Sequence, residues 1–510
     1  MTTTLTRRRV LGLAAAGAGG LAATTVGGPV AEAAPGFGPD FVANDQNVHL
    51  LRRATFGPTP ELVKAVTSQG RRAWLDRQLN PSAIDDSDCA RLIRERFPRV
   101  SWTIPEARDG LEPFSWDLMY DVSAATIARS VWSKRQLFEV MCEFWSNHLN
   151  VTNPSDNVWD NRHDYDRTVI RKHALGRFED MLIASATHPA MLLYLNNAYS
   201  TKDNPNENYG RELLELHSVS VDGGYNEEDM RNSTLIMTGF AVNWSRGTFT
   251  YRGGDHYRGP VSVMEFSDAN PDANGYQVGI RYLKYLANHP ATAHHLAHKL
   301  CVRFVSDVPD EALVTRLANL YLDRDTEIIP VLRQLFLSPE FAESLGQKTR
   351  RPFEDLTATL RALNYGPDKN GKEGMRALVW VSDSLGQQPL AWSPPDGYPD
   401  EAVLWQSAGG TLSRWNTHLS LASHWWPNTL KQPPLRSLLP NRLPKTHGAL
   451  VDALAKRLVF RPLAAPHRAA VLDFLDRSAS DPLDSNDAAV GWRLPYVVAL
   501  ILDSPYFWVR

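Results

Sequence analysis

The sequence predicts a mainly α fold: one large multi-helix domain with a small β-hairpin insertion. Three observations carry this. Apolar residues recur with a period near 3.6 through most of the chain from Asn47 onward. Cap and stop signals punctuate those stretches. Alternating, strand-like patterning is confined to one stretch, residues 249–266.

Residues 1–33 read as a twin-arginine signal peptide. Arg7, Arg8 and Arg9 follow Thr6, a weakly apolar Ala/Gly run extends to about residue 26, and Ala31-Glu32-Ala33 offers a small-x-small cleavage site after Ala33. Gly and Thr interrupt the run, which argues against a retained anchor. The implied partner is the twin-arginine translocase, which moves chains already folded. That route suits a chain that loads a cofactor first, and a divalent metal is the candidate. Residues 34–46 are a Pro/Gly-bearing linker. The helical domain fills 47–510, with room for a second lobe from about residue 350.

Within it, Thr59 caps a helix that has Pro60 at its first position. Residues 117–150 read as one or two long helices ending in "FEVMCEFWSNHLNV". Further helices are expected near 165–186, 207–218, 227–238, 278–287, 291–305, 309–323, 326–337, 352–364, 410–425, 448–458, 465–477 and 491–503. "FTYRGGDHYRGPVSVMEF" turns at Gly-Gly and Gly-Pro and supplies the hairpin. Residues 386–407 form an irregular loop rich in Pro, Gly and Trp, of a length that is often functional.

Composition narrows the function classes. Hydrophobic residues are 43% and charged residues 22% of the chain, as in soluble globular proteins. A net charge of −3 supplies no basic field for nucleic acid. No later apolar run reaches the length of a membrane span. Three cysteines, Cys89, Cys142 and Cys301, make no disulfide framework and no thiolate zinc site. Fifteen Trp suggest large buried aromatics or an aromatic-lined cleft. No nucleophile elbow, zinc-protease helix, P-loop or dinucleotide fingerprint is present.

Candidate chemistry concentrates in "NPNENYGRELLELHSVSVDGGYNEEDM", residues 204–230. On a helix over 207–218, Asn208, Arg211, Glu212 and Glu215 share one face, and His217 lies almost opposite. One reading is structural: an Asn cap, a Glu207–Arg211 ion pair, and His217 at the negative helix end. The other is a site. Glu212, Glu215 and Arg211 would then be catalytic, Asn208 would touch substrate, and a second helix would complete the face. Asn204, Asn206, Asn208, Glu212 and Glu215 also fall in a calcium-loop register, but Tyr209 replaces its turn glycine. The second helix would be the one ending in "CEFWSNHLNV". It offers Glu143 and, on an aromatic flank, His148, which serves either as a satisfied core residue or as a catalytic base. Glu143 and His217 are the metal-ligand candidates. The Glu-x-x-His spacing of bridged di-metal sites is absent. In the 386–407 loop Trp392, Tyr398 and Asp400, with Asp396 nearby, are candidates for substrate contact. His294 and His298 make an i,i+4 pair, and His256 sits in the hairpin.

Taken together, "LLRRATFGPTPELV", "FWSNHLNV", "NENYGRELLELHSVSVDGGYNEEDM", "MTGF", "HPATAHHLAHKLCVRFVSDVP", "LRQLFLSPEF", "RRPFEDLTATLRAL" and "PDGYPD" resemble the bacterial family catalogued as domain of unknown function 1800. The resemblance implies a helical fold, export, and an exported sulfatase-like companion protein; it implies no reaction. "DHYRGPVSVMEF" departs from the family's more common His-Asp-x-Gly pattern and weakens a role for His256. The expected function is an exported enzyme, hydrolytic and metal-assisted. The alternative is a non-catalytic envelope or assembly protein working with that companion.

Overall fold

In the computed structural model, residues 39–510 are described. The expected signal peptide and the first part of the linker lie outside them. Helices dominate, and the sheets are three two-stranded antiparallel pairs. Local signals set the helix starts, the Thr59 cap as expected. Thr59 caps Pro60–Gln69, and Asn226 with Asp229 closes a capping box on Glu227–Met237. Asp117–Trp132 and Gln136–His148 are two helices, parted by an extended Ser133. The stretch 165–186 is also divided. A π-helical turn at Asp166–Arg171 precedes Phe178–Ala186, and Arg171 from that turn holds Glu139 in a bidentate pair at 2.7 and 2.8 Å.

The β insertion differs from expectation. β1 (Phe240–Asn243) pairs with β2 (Thr248–Tyr251), and β3 (Val261–Val263) pairs with β4 (Phe266–Asp268). Residues 249–251 therefore pair backward rather than across Gly-Gly. The reason is a tight turn: the Asn243 side chain accepts from the backbone of Ser245 and Arg246, and Gly247 takes φ +69°. A third pair, β5 (Gly366–Asp368) with β6 (Leu430–Lys431), joins segments far apart in sequence, which no local pattern announces.

One continuous apolar core runs from Leu50 to Phe507. Helix Asp117–Trp132 is buried on almost every side, packed by Pro352–Ala362 and Glu373–Ser384. The three thiols are buried and unpaired. Among the described residues, no helix is long and apolar enough to cross a membrane.

Candidate functional site

Helix Glu207–Glu215 begins at Asn206, whose side chain accepts from Asn208 N at 3.1 Å. Gly210 lets it lie against helix Glu227–Met237: a Cβ there would stand 2.3 Å from Thr234 Oγ1. The helix stops earlier than expected. Leu216 N and His217 N both donate to the Glu212 carbonyl, and Ser218 Oγ donates to the Leu213 carbonyl. This wide closing turn carries His217 inward until it is fully buried. The expected separation of His217 from the acids is therefore present, and the ring enters the interior.

On the opposite face Arg211 lies among Glu215 at 3.4 Å, Glu207 at 3.8 Å and Glu227 at 3.9 Å. Arg211 and Glu215 thus form a solvated ion-pair face. Asn208 is half-buried beside them. Glu212 is half-buried too, and burial, with Glu215 and Asp396 nearby, raises its pKa.

Two further segments meet this turn. Helix Gln136–His148 brings His148, and helix Pro290–Phe304 brings His295 and Lys299. His148 Nε2–H donates to the His217 carbonyl at 3.3 Å, which leaves Nδ1 as the acceptor toward Lys299 Nζ at 3.2 Å. His295 bonds the Leu216 backbone, and its ring centroid is 5.9 Å from that of His148. Its Nε2, both ring nitrogens of His217 and the Tyr209 hydroxyl are buried without a partner. Burial, reinforced by Lys299, keeps these imidazoles neutral: His148 is held well below the ordinary value, and His217 and His295 are lowered to about 3. Burial also lowers the pKa of Lys299, against Asp400, Asp396 and Glu401.

The loop 386–407 covers this cluster. Asn150 Nδ2 donates to the carbonyls of Trp392 and Pro394, at 2.9 and 2.7 Å, and Tyr194 donates to that of Ser393. Tyr398 N donates to Asn147 Oδ1 at 3.2 Å. Gly397 crosses the end of the helix at φ +75°, where a Cβ would stand 2.2 Å from the Asn147 carbonyl oxygen. Trp392 Nε1 donates to Asp396 Oδ1 at 2.6 Å, and the Trp392 and Tyr398 rings stand 5.0 Å apart. "FWSNHLNV", "ELLELH", "HHLAHKL" and "PDGYPD" therefore meet at one place.

Glu143 and Asp400 belong to a different arrangement. Glu143 meets Arg351 at 2.8 Å and Arg303 at 3.3 Å. Asp400 meets the same two arginines at 3.2 and 3.3 Å. Glu354 completes the set by pairing with Arg303, Arg351 and Arg510. Three carboxylates thus face three guanidinium groups. Burial alone would raise the pKa values of Glu354 and Asp400, but the arginines hold both below the usual range. The cavity beside Glu143 is about 20 Å³, room for about one water.

The expected metal ligands do not fit a metal. Glu143 is committed to two arginines, and His217 is buried near the Lys299 amine. Among the described residues no three His, Cys, Asp or Glu side chains converge on a common point. His294 turns to Glu311 at 2.6 Å rather than chelating with His298. His256 is satisfied by the Thr238 carbonyl and Asn270. Sequence reasoning missed Lys299 and His295, and it also missed Arg303, Arg351 and Glu354. The available signal was the boundary of the apolar face on helix Pro290–Phe304.

The family model "Protein of unknown function (DUF1800)" matches residues 49–509. The chain belongs to this family. No curated protein and no solved structure matches it. Membership thus covers nearly the whole helical domain, and the chemistry has to be argued from the cluster itself.

Proposed function

We propose that the chain is an exported enzyme that cleaves a bond in a polar substrate by acid–base catalysis. Lys299 and His148 handle one proton, and Glu212 is the acid on the open side. One observation carries this reading: Lys299 is half-buried, lies within bonding distance of a neutral imidazole, and has no carboxylate within salt-bridge reach. A fold gains nothing from such an amine, whereas a proton-transfer site needs one near its working pH. Trp392, with the Tyr398 ring tilted against it, is placed to take substrate. The twin-arginine pattern supports export. The metal-assisted variant is not carried forward, because Glu143 is committed to two arginines and no third ligand converges with His217 among the described residues.

A panel of carboxylate, phosphate and sulfate esters, glycosides and carbonyl compounds, offered to the purified protein, tests this reading. Glu212→Gln is expected to melt like the parent and to lose turnover by about a hundredfold or more. Wild-type turnover in that variant sinks the assignment of Glu212.

A second reading has its own observation. Val403, Leu404, Leu412 and Trp415 are exposed on consecutive elements, at 58%, 62%, 56% and 42%. Such a surface suits a non-catalytic role with an exported, sulfatase-like companion. Stoichiometric co-purification from culture, abolished by Leu412→Glu, would favour it.

A further inference from the structure

We propose that Lys299 is a nucleophilic amine that binds a small neutral aldehyde or ketone as an imine; this deepens the enzyme reading and rests on it. The lysines of the chain make the contrast. Lys134, Lys284, Lys348 and Lys372 each have a carboxylate partner. Among the described residues, the lysines without one are exposed, except Lys299. Lys348 is the closest counterpart. It is buried, its pKa is lowered to about 8 by burial, and its protons go to Asp307 and the Asp400 carbonyl, at 2.8 Å for the latter. That amine is closed off. Lys299 instead has one neutral partner, His148 Nδ1, and is only partly buried.

The His148 tautomer is fixed by its other bond. With Nε2–H donated to the His217 carbonyl, Nδ1 presents a lone pair to the amine. An uncharged Lys299 can then attack a carbonyl carbon. A C–N bond forms, the carbonyl oxygen becomes an alkoxide, and His148 Nδ1 takes a proton from nitrogen. That proton and the second N–H leave with the oxygen as water, giving the imine. The balance is amine plus carbonyl to imine plus water, with no oxidant or reductant. The neighbouring His217 and His295 rings are neutral, so neither competes as a cation with the iminium form. Asp396, Asp400 and Glu401 lie close enough to act on Lys299, so they favour a neutral or cationic ligand and repel an anionic one.

The test uses the full chain, limiting formaldehyde, and cyanoborohydride to trap the imine, with each lysine read by peptide mass mapping at pH 7. Lys299 is expected to carry methyl groups several-fold sooner than exposed Lys64, Lys202 and Lys456, because burial lowers its pKa and it has no carboxylate partner. Labelling at Lys299 no faster than at those residues overturns the proposal. The two readings fail separately. Turnover that survives complete labelling of Lys299 sinks the imine alone. Fast labelling in a protein without turnover leaves the amine and removes the enzyme.

Discussion

Arg303 and Lys299 are one turn apart on helix Pro290–Phe304, and their surroundings are opposite. Arg303 is buried against three carboxylates, from Glu143, Glu354 and Asp400. Lys299 has the neutral His148 imidazole against it and two more neutral rings around it. The first region is closed, every charge answered by another held in place. The second is open: its amine has no carboxylate partner, and the rings beside it carry no charge. An amine without a counter-charge marks the region where a ligand or a reaction is to be sought. The closed region positions it: Arg351 and Arg303 grip Asp400, and so hold the loop 386–407 over Lys299.

Breaking the closed region should cost most. Glu354→Gln leaves three guanidinium groups short of a carboxylate and is expected to lower unfolding free energy by about 3–5 kcal/mol in urea titrations. A loss under 1 kcal/mol would mean that the arginines are not held by charge.

A neighbouring closed cluster adds a pH signature. His418, buried, lies between Asp355 at 2.9 Å and Asp503 at 2.8 Å. Burial alone would lower its pKa, but Asp355 and then Asp503 lift it to about 9. The folded value thus exceeds the unfolded one. Its contribution, about 3 kcal/mol, is full below pH 6.5 and is lost as pH rises through 9. Urea midpoints should fall over that interval, and His418→Gln should flatten the fall.

The open region should respond the other way. Lys299→Met removes an uncompensated half-buried amine, so the melting temperature is expected to hold or rise, by about 1 kcal/mol in stability. A loss as large as that of Glu354→Gln would erase the distinction between the two regions. The smallest effect belongs to the solvated face. Arg211→Ala should change stability by less than about 0.5 kcal/mol, measured by thermal melting, because its ion pairs are exposed and long.

Much of the fold was legible. Helices declare themselves by period and cap, as at Thr59, Asn206 and Asn226, because those forces act within a few residues. The helical separation of His217 from Glu212 was legible for the same reason. The site was only half legible. In "HPATAHHLAHKL" the i,i+4 pair His294 and His298 drew notice, while the pair that faces inward is His295 and Lys299, each one residue further on. Periodicity marks the apolar face of a helix, but a residue at its edge turns inward or outward according to what packs there. Here it is the closing turn after Glu215, which no spacing rule supplies. From sequence Glu143 reads as a metal ligand and Asp400 as a substrate contact; Arg303 and Arg351, distant in the chain, give them a structural role.

By itself the sequence determined the mainly α architecture, the caps, the inward and outward faces of most helices, and the eight segments that carry the family. Those properties come from short-range sterics, hydrogen bonding and the hydrophobic period. Only the tertiary structure decided which charged groups are answered and which are left open. That depends on partners contributed by distant helices, and on the low dielectric that burial imposes on them.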